Sequence, residues 1–306
     1  MTHTIPSSRR KAVLAACAAC VAGAAGVLLS PPVQAQQQPE SKWPRKPVRL
    51  VVAGPPGGTA DIVARLLADQ LAKDGGQPVV VDPRPGAGGV VAVNELSLAP
   101  HDGYTLLVGV SSLVSEIPHI LKLRNDMGKE IRPLAELGRG GLVMIGAPSV
   151  PAKNFAELVS WVKANPGKVS YASYSPGTVS HVIGLQLNKA AGLDMAHVGY
   201  KGSTPALTDV MGGHVPLMFD GMPTSLPMIK AGKVKAFAVS MPRRSPLLPE
   251  VPTFAELGYA QLETISWMGL WARPDVPREV QANVREAALK AMAQPAVRAR
   301  LLDAGL

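Results

Sequence analysis

The 306-residue chain has only two cysteines, Cys17 and Cys20, and both lie among its first 35 residues. Past that point there is no thiol for nucleophilic catalysis, disulfide formation or cysteine-based metal binding. Aromatic residues make up 4% of the chain, too few for a platform that stacks nucleic-acid bases. Lysine and arginine (31) exceed aspartate and glutamate (22), yet the cations are dispersed, and no nucleic-acid partner is expected. The histidines at 101, 119, 181, 197 and 214 have no partner at i,i+4. No metal and no cofactor are therefore expected. Intrinsic disorder is excluded as well, because 47% of the residues are hydrophobic and can bury a core.

The first 35 residues read as an export signal. Arg9-Arg10-Lys11 precedes Ala12–Leu29, which carries no charge, and Ser30-Pro31-Pro32 breaks that run. Val33-Gln34-Ala35 then offers small residues at the two positions a signal peptidase reads. The run just reaches spanning length, but its alanine and glycine richness makes it a weak anchor. Ser8-Arg9-Arg10 is similar to a twin-arginine signal, so the export route stays open between two machineries. Cleavage after about Ala35 would release a cysteine-free protein into the periplasm. It would keep 28 of the 31 cations, a mildly basic balance suited to steering small anions.

Beyond the leader, short apolar runs alternate with helical patterns. Val48–Val52, Pro78–Asp82 and Thr105–Val110 read as strands covered on both faces. Ile62–Leu71, with apolar residues three and four apart, reads as a helix closed by Gly75-Gly76, and Val90–Ala99 as a second helix. A second series has strands at Leu142–Ala147, Val169–Ser173, His197–Tyr200, Val215–Phe219 and Val234–Ser240, with helices between them. Trp267–Ala272 is a last strand, before helices over Pro277–Ala293 and from Pro295. The fold class is α/β. Each of two lobes carries a mainly parallel sheet flanked by helices, with a ligand cleft between them.

Four strand-to-helix loops can hold a ligand. Gly54-Pro55-Pro56-Gly57-Gly58-Thr59-Ala60-Asp61 joins the first strand to the first helix. The unpaired amides of that helix start suit an anion, although an ordinary tight turn fits the residues too. No Lys-Ser/Thr pair follows the glycines, so it is not a Walker loop. Arg84-Pro85-Gly86-Ala87-Gly88-Gly89 follows the second strand and lacks the third glycine of a dinucleotide fingerprint. Two such loops on adjacent strands would place two helix starts side by side, able to hold a carboxylate with main-chain donors alone. Ser111-Ser112 follows the third strand. Ser173–His181 supplies hydroxyls and an imidazole from the second series, and Asp220, ending the strand Val215–Phe219, completes that side. Ser175, Ser180, His181 and Asp220 could be drawn as a hydrolytic triad. No nucleophile elbow is present, however, and Ser180 and His181 are neighbours whose side chains diverge. A non-enzymatic binding protein is the expectation.

The loops also carry a resemblance. Trp43-Pro44, Lys46–Val52, Pro56-Gly57-Gly58 with Asp61-Ile62 and Arg65, Arg84–Gly89 and Asp102–Leu107 follow in order. They are joined downstream by Pro166-Gly167-Lys168, Tyr200-Lys201-Gly202, Pro205–Asp209, Met218-Phe219-Asp220, Lys230–Lys233 and Ser266-Trp267 with Gly269-Leu270. The ordered set resembles the Bug-type (TctC-like) solute-binding proteins of tripartite tricarboxylate transporters. The resemblance implies a monomeric periplasmic receptor that closes on a small organic carboxylate and delivers it to a two-component membrane permease. A ligand sensor feeding a two-component kinase would need the same pocket. Lobe 1 would comprise residues 36–140 plus 262–306, and lobe 2 residues 141–261. Ligand-binding residues carried over are Gly58, Thr59, Ala60 and Asp61; Ala87, Gly88 and Gly89; Ser111; and Ser175, Thr178, His181 and Asp220. Departures are Gly54 where an aromatic is usual, Val90-Val91-Ala92 in place of Asn-Ile-Gly, and Gly221 where an asparagine often stands. The resemblance also implies a final strand and helix of lobe 1 beyond Leu306.

Overall fold

The computed structural model describes residues 43–122 and 126–306. The export signal, both cysteines and the Ala35 cleavage position lie outside the described residues. The described residues form one compact unit.

The first sheet begins with β1 (Val48–Val52), followed by α1 (Thr59–Gly75), β2 (Val79–Pro83), α2 (Val90–Ser97) and β3 (Thr105–Val110). Three short helices, α3 (Ser112–Ser115), α4 (Ile117–Ile120) and α5 (Met127–Glu130), lead to β4 (Arg132–Gly140). The chain then enters a second sheet with β5 (Leu142–Gly146), α6 (Phe155–Lys163), β6 (Ser170–Ser173) and α7 (Val179–Ala191). It continues through β7 (Ala196–Gly199), α8 (Ser203–Met211), β8 (Leu217–Gly221), α9 (Met222–Lys230) and β9 (Lys235–Val239). It returns to the first sheet as β10 (Ser266–Ala272) and ends in α10 (Arg278–Met292) and α11 (Pro295–Asp303).

The sheets have the orders β2-β1-β3-β10-β4 and β7-β6-β8-β5-β9. In each, three strands run parallel, as the alternation of strand and helix implies, and two antiparallel pairings complete the sheet. No sequence pattern announced β4. Pro133, Glu136, Gly138 and Arg139 interrupt its apolar positions, and its pairing with β10 carries two register shifts.

Strand alternation builds two cores on the first sheet. Leu50, Val52, Leu106, Val108 and Leu270 face α1, α10 and α11, whereas Val51, Leu107 and Trp271 face α2, Ile117 and Met127. One further core, including Tyr171, Phe219 and Phe237, holds the second sheet. Covering both faces of a sheet in this way gives an open doubly wound arrangement. No helix among the described residues is long and apolar enough to cross a membrane.

Two chain crossings join the sheets: Gly141 between β4 and β5, and the segment between β9 and β10. The Ser240 hydroxyl staples them, accepting from Leu142 N–H (2.8 Å) and donating to the Thr264 carbonyl (2.8 Å). Main-chain bonds from Ser240 N–H to Leu142 and from Thr264 N–H to Ser240 (both 2.9 Å) run beside it. A short, double, hydrogen-bonded connection of this kind is suited to a hinge.

Candidate functional site

Loops at the carboxyl ends of strands in both sheets face one cleft of about 770 Å³, its open mouth included. This is where open α/β sheets bind ligands. One wall is the β1–α1 loop, with Gly54, Pro55, Gly58, Thr59 and Ala60, next to Gly86, Gly88 and Gly89 from the β2–α2 loop. The opposite wall has Tyr174, Ser175 and Thr178, then Lys201, Gly202 and Ser203. Val110, Leu142, Ser266 and Met268 form the floor at the crossings, with Met222 at its side.

Main-chain donors can be accounted for one by one on the first wall. Gly57 N–H donates to Asp61 Oδ2 (2.9 Å) and Gly58 N–H to the Pro55 carbonyl (3.1 Å). The amides of Thr59 and Ala60, in the first turn of α1, have no acceptor among the described residues. In the second loop Gly89 N–H bonds Gly86 (2.8 Å) and Val90 N–H bonds Ala87, leaving the Gly88 amide without one. Gly88 sits at φ +66°, and a Cβ there would press on Ile117 Cδ1, 2.6 Å away. Gly88 thus lines the cleft in a left-handed backbone conformation at a position where no side chain fits.

The hydroxyls of the second wall are engaged differently. Thr178 Oγ1 donates to the Ser175 carbonyl (2.6 Å) and Ser175 Oγ to the Pro176 carbonyl (3.3 Å). Ser203 donates to Asp220 Oδ1. The Tyr174 hydroxyl is pushed far above its ordinary range by burial, with Asp220 and Glu116 adding to the effect, so it keeps its proton.

The twelve residues singled out by sequence do not all reach the cleft. Gly58, Thr59, Ala60, Gly88, Gly89, Ser175 and Thr178 line it. The Asp61 carboxylate faces away, held by Gly57 N–H and by Arg65 Nε (2.8 Å). Asp220 is fully buried and accepts from Ser203, Thr224 (2.7 Å) and Ser225 (2.8 Å). Its burial raises the carboxyl's proton affinity, and the three hydroxyls oppose that. The network pins the starts of α8 and α9 beside the cleft. Ser111 is buried, its hydroxyl 3.5 Å from Ser266 Oγ. Ala87 flanks Gly88 at φ +46°.

His181 stacks on His197 with ring centres 3.8 Å apart, its Nδ1 accepting from Gly177 N–H (3.2 Å). Burial lowers the proton affinity of both rings. Burial and the neighbouring His181 bring His197 to about 4. The drawn triad is therefore not assembled: the hydroxyls of Ser175 and Ser180 donate to carbonyls, and Asp220 bonds hydroxyls and no imidazole.

Sequence reading did not place Tyr174, Lys201, Gly202, Ser203, Met222 or Met268 at the ligand site. Of these, Lys201-Gly202 had a signal in the Tyr200-Lys201-Gly202 motif. The side chains lining the cleft include no aspartate, glutamate, arginine or histidine, and one lysine, Lys201. The arrangement offers main-chain N–H groups and one ammonium, and it brings no nucleophile next to a base. It can bind an anion.

Two mixed sheets joined by a double crossing around such a cleft define a two-lobed binding protein of the periplasmic type. The chain belongs to the tripartite tricarboxylate transporter receptor family, whose model matches residues 63–306. Protein BugT of Bordetella pertussis is 36% identical over 240 residues, covering 75% of this chain and 71% of that one. A Rhodopseudomonas palustris protein solved with adipate is 29% identical with a TM-score of 0.82, over 86% of this chain and 88% of that one. MatC of the same organism, solved with bound malate, is 32% identical with a TM-score of 0.79, over 86% and 90%. The family and these structural neighbours are solute-binding proteins.

Proposed function

We propose that the protein is a monomeric periplasmic receptor. It captures a small organic carboxylate in the cleft and delivers it to a two-component membrane permease, without transforming it. The observation that carries this reading is a cleft lined by Thr59, Ala60 and Gly88, whose amides have no acceptor among the described residues, and by Lys201, with no acid among its lining side chains. Helix starts and free amides favour negative charge. The adipate and malate bound by structural neighbours are anions of that kind.

In this reading the amides of Thr59, Ala60 and Gly88 grip the carboxylate, Gly58 and Gly89 let it approach the backbone closely, and Ser175 and Thr178 meet the remainder of the ligand. Asp61, Ala87, Ser111, His181 and Asp220 shape the loops from behind. The lobes divide as residues 36–140 plus 262–306 and residues 141–261, with the ligand favouring the closed form by bridging both. Thermal unfolding against a panel of organic acids is the test. A ligand present at 100 times its Kd stabilises by about 2.7 kcal/mol, a shift of several degrees. Stabilisation by carboxylates and not by their amides supports the reading; no shift with any acid refutes it.

A further inference from the structure

Two loops of the second sheet reach across to the first, and each does so with a hydrogen bond. In the β6–α7 loop, Val179 N–H donates to Ser112 Oγ (3.1 Å), and both residues are buried. In the β7–α8 loop, Thr204 Oγ1 donates to the Pro56 carbonyl (3.1 Å) from an exposed position. Beside the first bond Gly177 packs on Ile117 and Leu121, and beside the second Gly202 packs on the Pro55 ring.

Val179 opens α7, and the first amides of a helix have no partner within it. Thr178 before it does not cap the helix, because its hydroxyl donates to the Ser175 carbonyl. The acceptor for Val179 N–H is supplied by the other sheet instead. Neither Ser112 nor Thr204 lines the cleft, yet Val179 directly follows Thr178 and Thr204 directly follows Ser203, and both of those residues line the wall. Making the two bonds therefore seats that wall.

Resting on the reading of a hinged receptor, we infer that Ser112 and Thr204 form a two-point latch that holds the two lobes closed. Both are positioning residues, which act on a ligand through Thr178 and Ser203. Both bonds lie within the chain, so the latch populates the closed form before a ligand bridges the cleft. A hydrogen bond of ordinary net strength multiplies the closed-to-open ratio about two- to tenfold, and two bonds in separate loops multiply together.

The test is hydrogen exchange, read amide by amide, on the purified protein in buffer free of organic acids. The Val179 amide reports the latch, because opening frees it while α7 stays folded. In the unmodified protein it should exchange more slowly than an unprotected amide and faster than the β1 amides, which await global unfolding. Thr204→Val removes the other bond, at a residue bonded to neither Ser112 nor Val179. It should speed Val179 exchange about two- to tenfold and leave the β1 amides as they were; Thr204→Ser, which keeps the hydroxyl, should restore the original rate. An unprotected Val179 amide would overturn the latch, since there would be no closed form to hold. Exchange in step with β1 would overturn it too, since the lobes would then part only on unfolding, as would a Thr204→Val variant that leaves Val179 unchanged. None of these outcomes bears on whether a carboxylate binds, which the panel of acids decides separately.

Discussion

Gly202→Ala is predicted to impair ligand binding by holding the cleft open. Gly202 lies at φ +118°, a backbone region almost reserved for glycine, and a Cβ there would overlap Cδ and Cγ of the Pro55 ring. A proline ring is held by its own backbone and cannot swing aside. Relief therefore requires the loop carrying Lys201 to back away from the β1–α1 loop. The backbone alone costs on the order of 1–3 kcal/mol, and it is present whether the cleft is open or closed. Under the proposed hinge motion, the overlap arises only in the closed form. Taking it at about 2–3 kcal/mol, as for overpacked contacts, the apparent Kd rises about 30- to 150-fold. Pro55→Ala separates the two effects, because only a Cβ, 3.5 Å from the added methyl, remains in contact. The double variant Gly202→Ala with Pro55→Ala should recover most of the affinity while keeping the backbone penalty in its melting temperature. Calorimetric Kd values around this cycle are the assay. If Gly202→Ala binds within about twofold of the unmodified protein, or if Pro55→Ala rescues nothing, the closure argument is wrong.

Three other outcomes follow from the packing and the charges. Gly184→Ala should destabilise by about 1–3 kcal/mol in urea titrations, because its methyl would enter the buried Tyr171 ring, which the His181 carbonyl holds in place; an unchanged midpoint would contradict this. Ser240→Ala should cost about 1–3 kcal/mol by stranding Leu142 N–H at the crossing, and it should raise hydrogen exchange there and not in β1. Acid should weaken the fold through the stacked histidines. The folded state favours neutral His197, at about 4, while the unfolded chain takes up a proton near 6.5, so its contribution is intact above 6.5 and is lost as pH falls toward 4. With solvent screening the loss is about 1–2 kcal/mol, and His197→Gln should reduce it; an equal loss in the variant would refute the assignment.

Much of the first sheet was legible in the sequence because β1 and β3 are mainly apolar, broken only by Arg49, Thr105 and Gly109, and the loops after β1 and β2 are marked by Gly54–Gly58 and Arg84–Gly89. β4 was not, since a bulged strand with Pro133 and Gly138 has neither a strict period nor a continuous apolar run. The cleft's lining was legible where backbone matters, at Gly58, Thr59 and Gly88. Sequence reading also offered Asp61, His181 and Asp220 as ligand groups. In the fold they bond to Gly57 and Arg65, to Gly177, and to Ser203, Thr224 and Ser225. Residue type announces hydrogen-bonding capacity but not its direction, which here depends on neighbours up to 17 positions away. The floor was invisible for the same reason. Val110, Leu142 and Met268 read as ordinary strand residues until β10 returns beside β3.

The central claim is that main-chain amides at two loops hold the ligand's charge. A high-resolution crystal structure of the protein grown with hexanoate tests it most directly. The account predicts carboxylate oxygens about 2.7–3.1 Å from the amide nitrogens of Thr59, Ala60 and Gly88. A carboxylate bound at the floor, or held by side chains while those three amides face water or protein carbonyls, would contradict it.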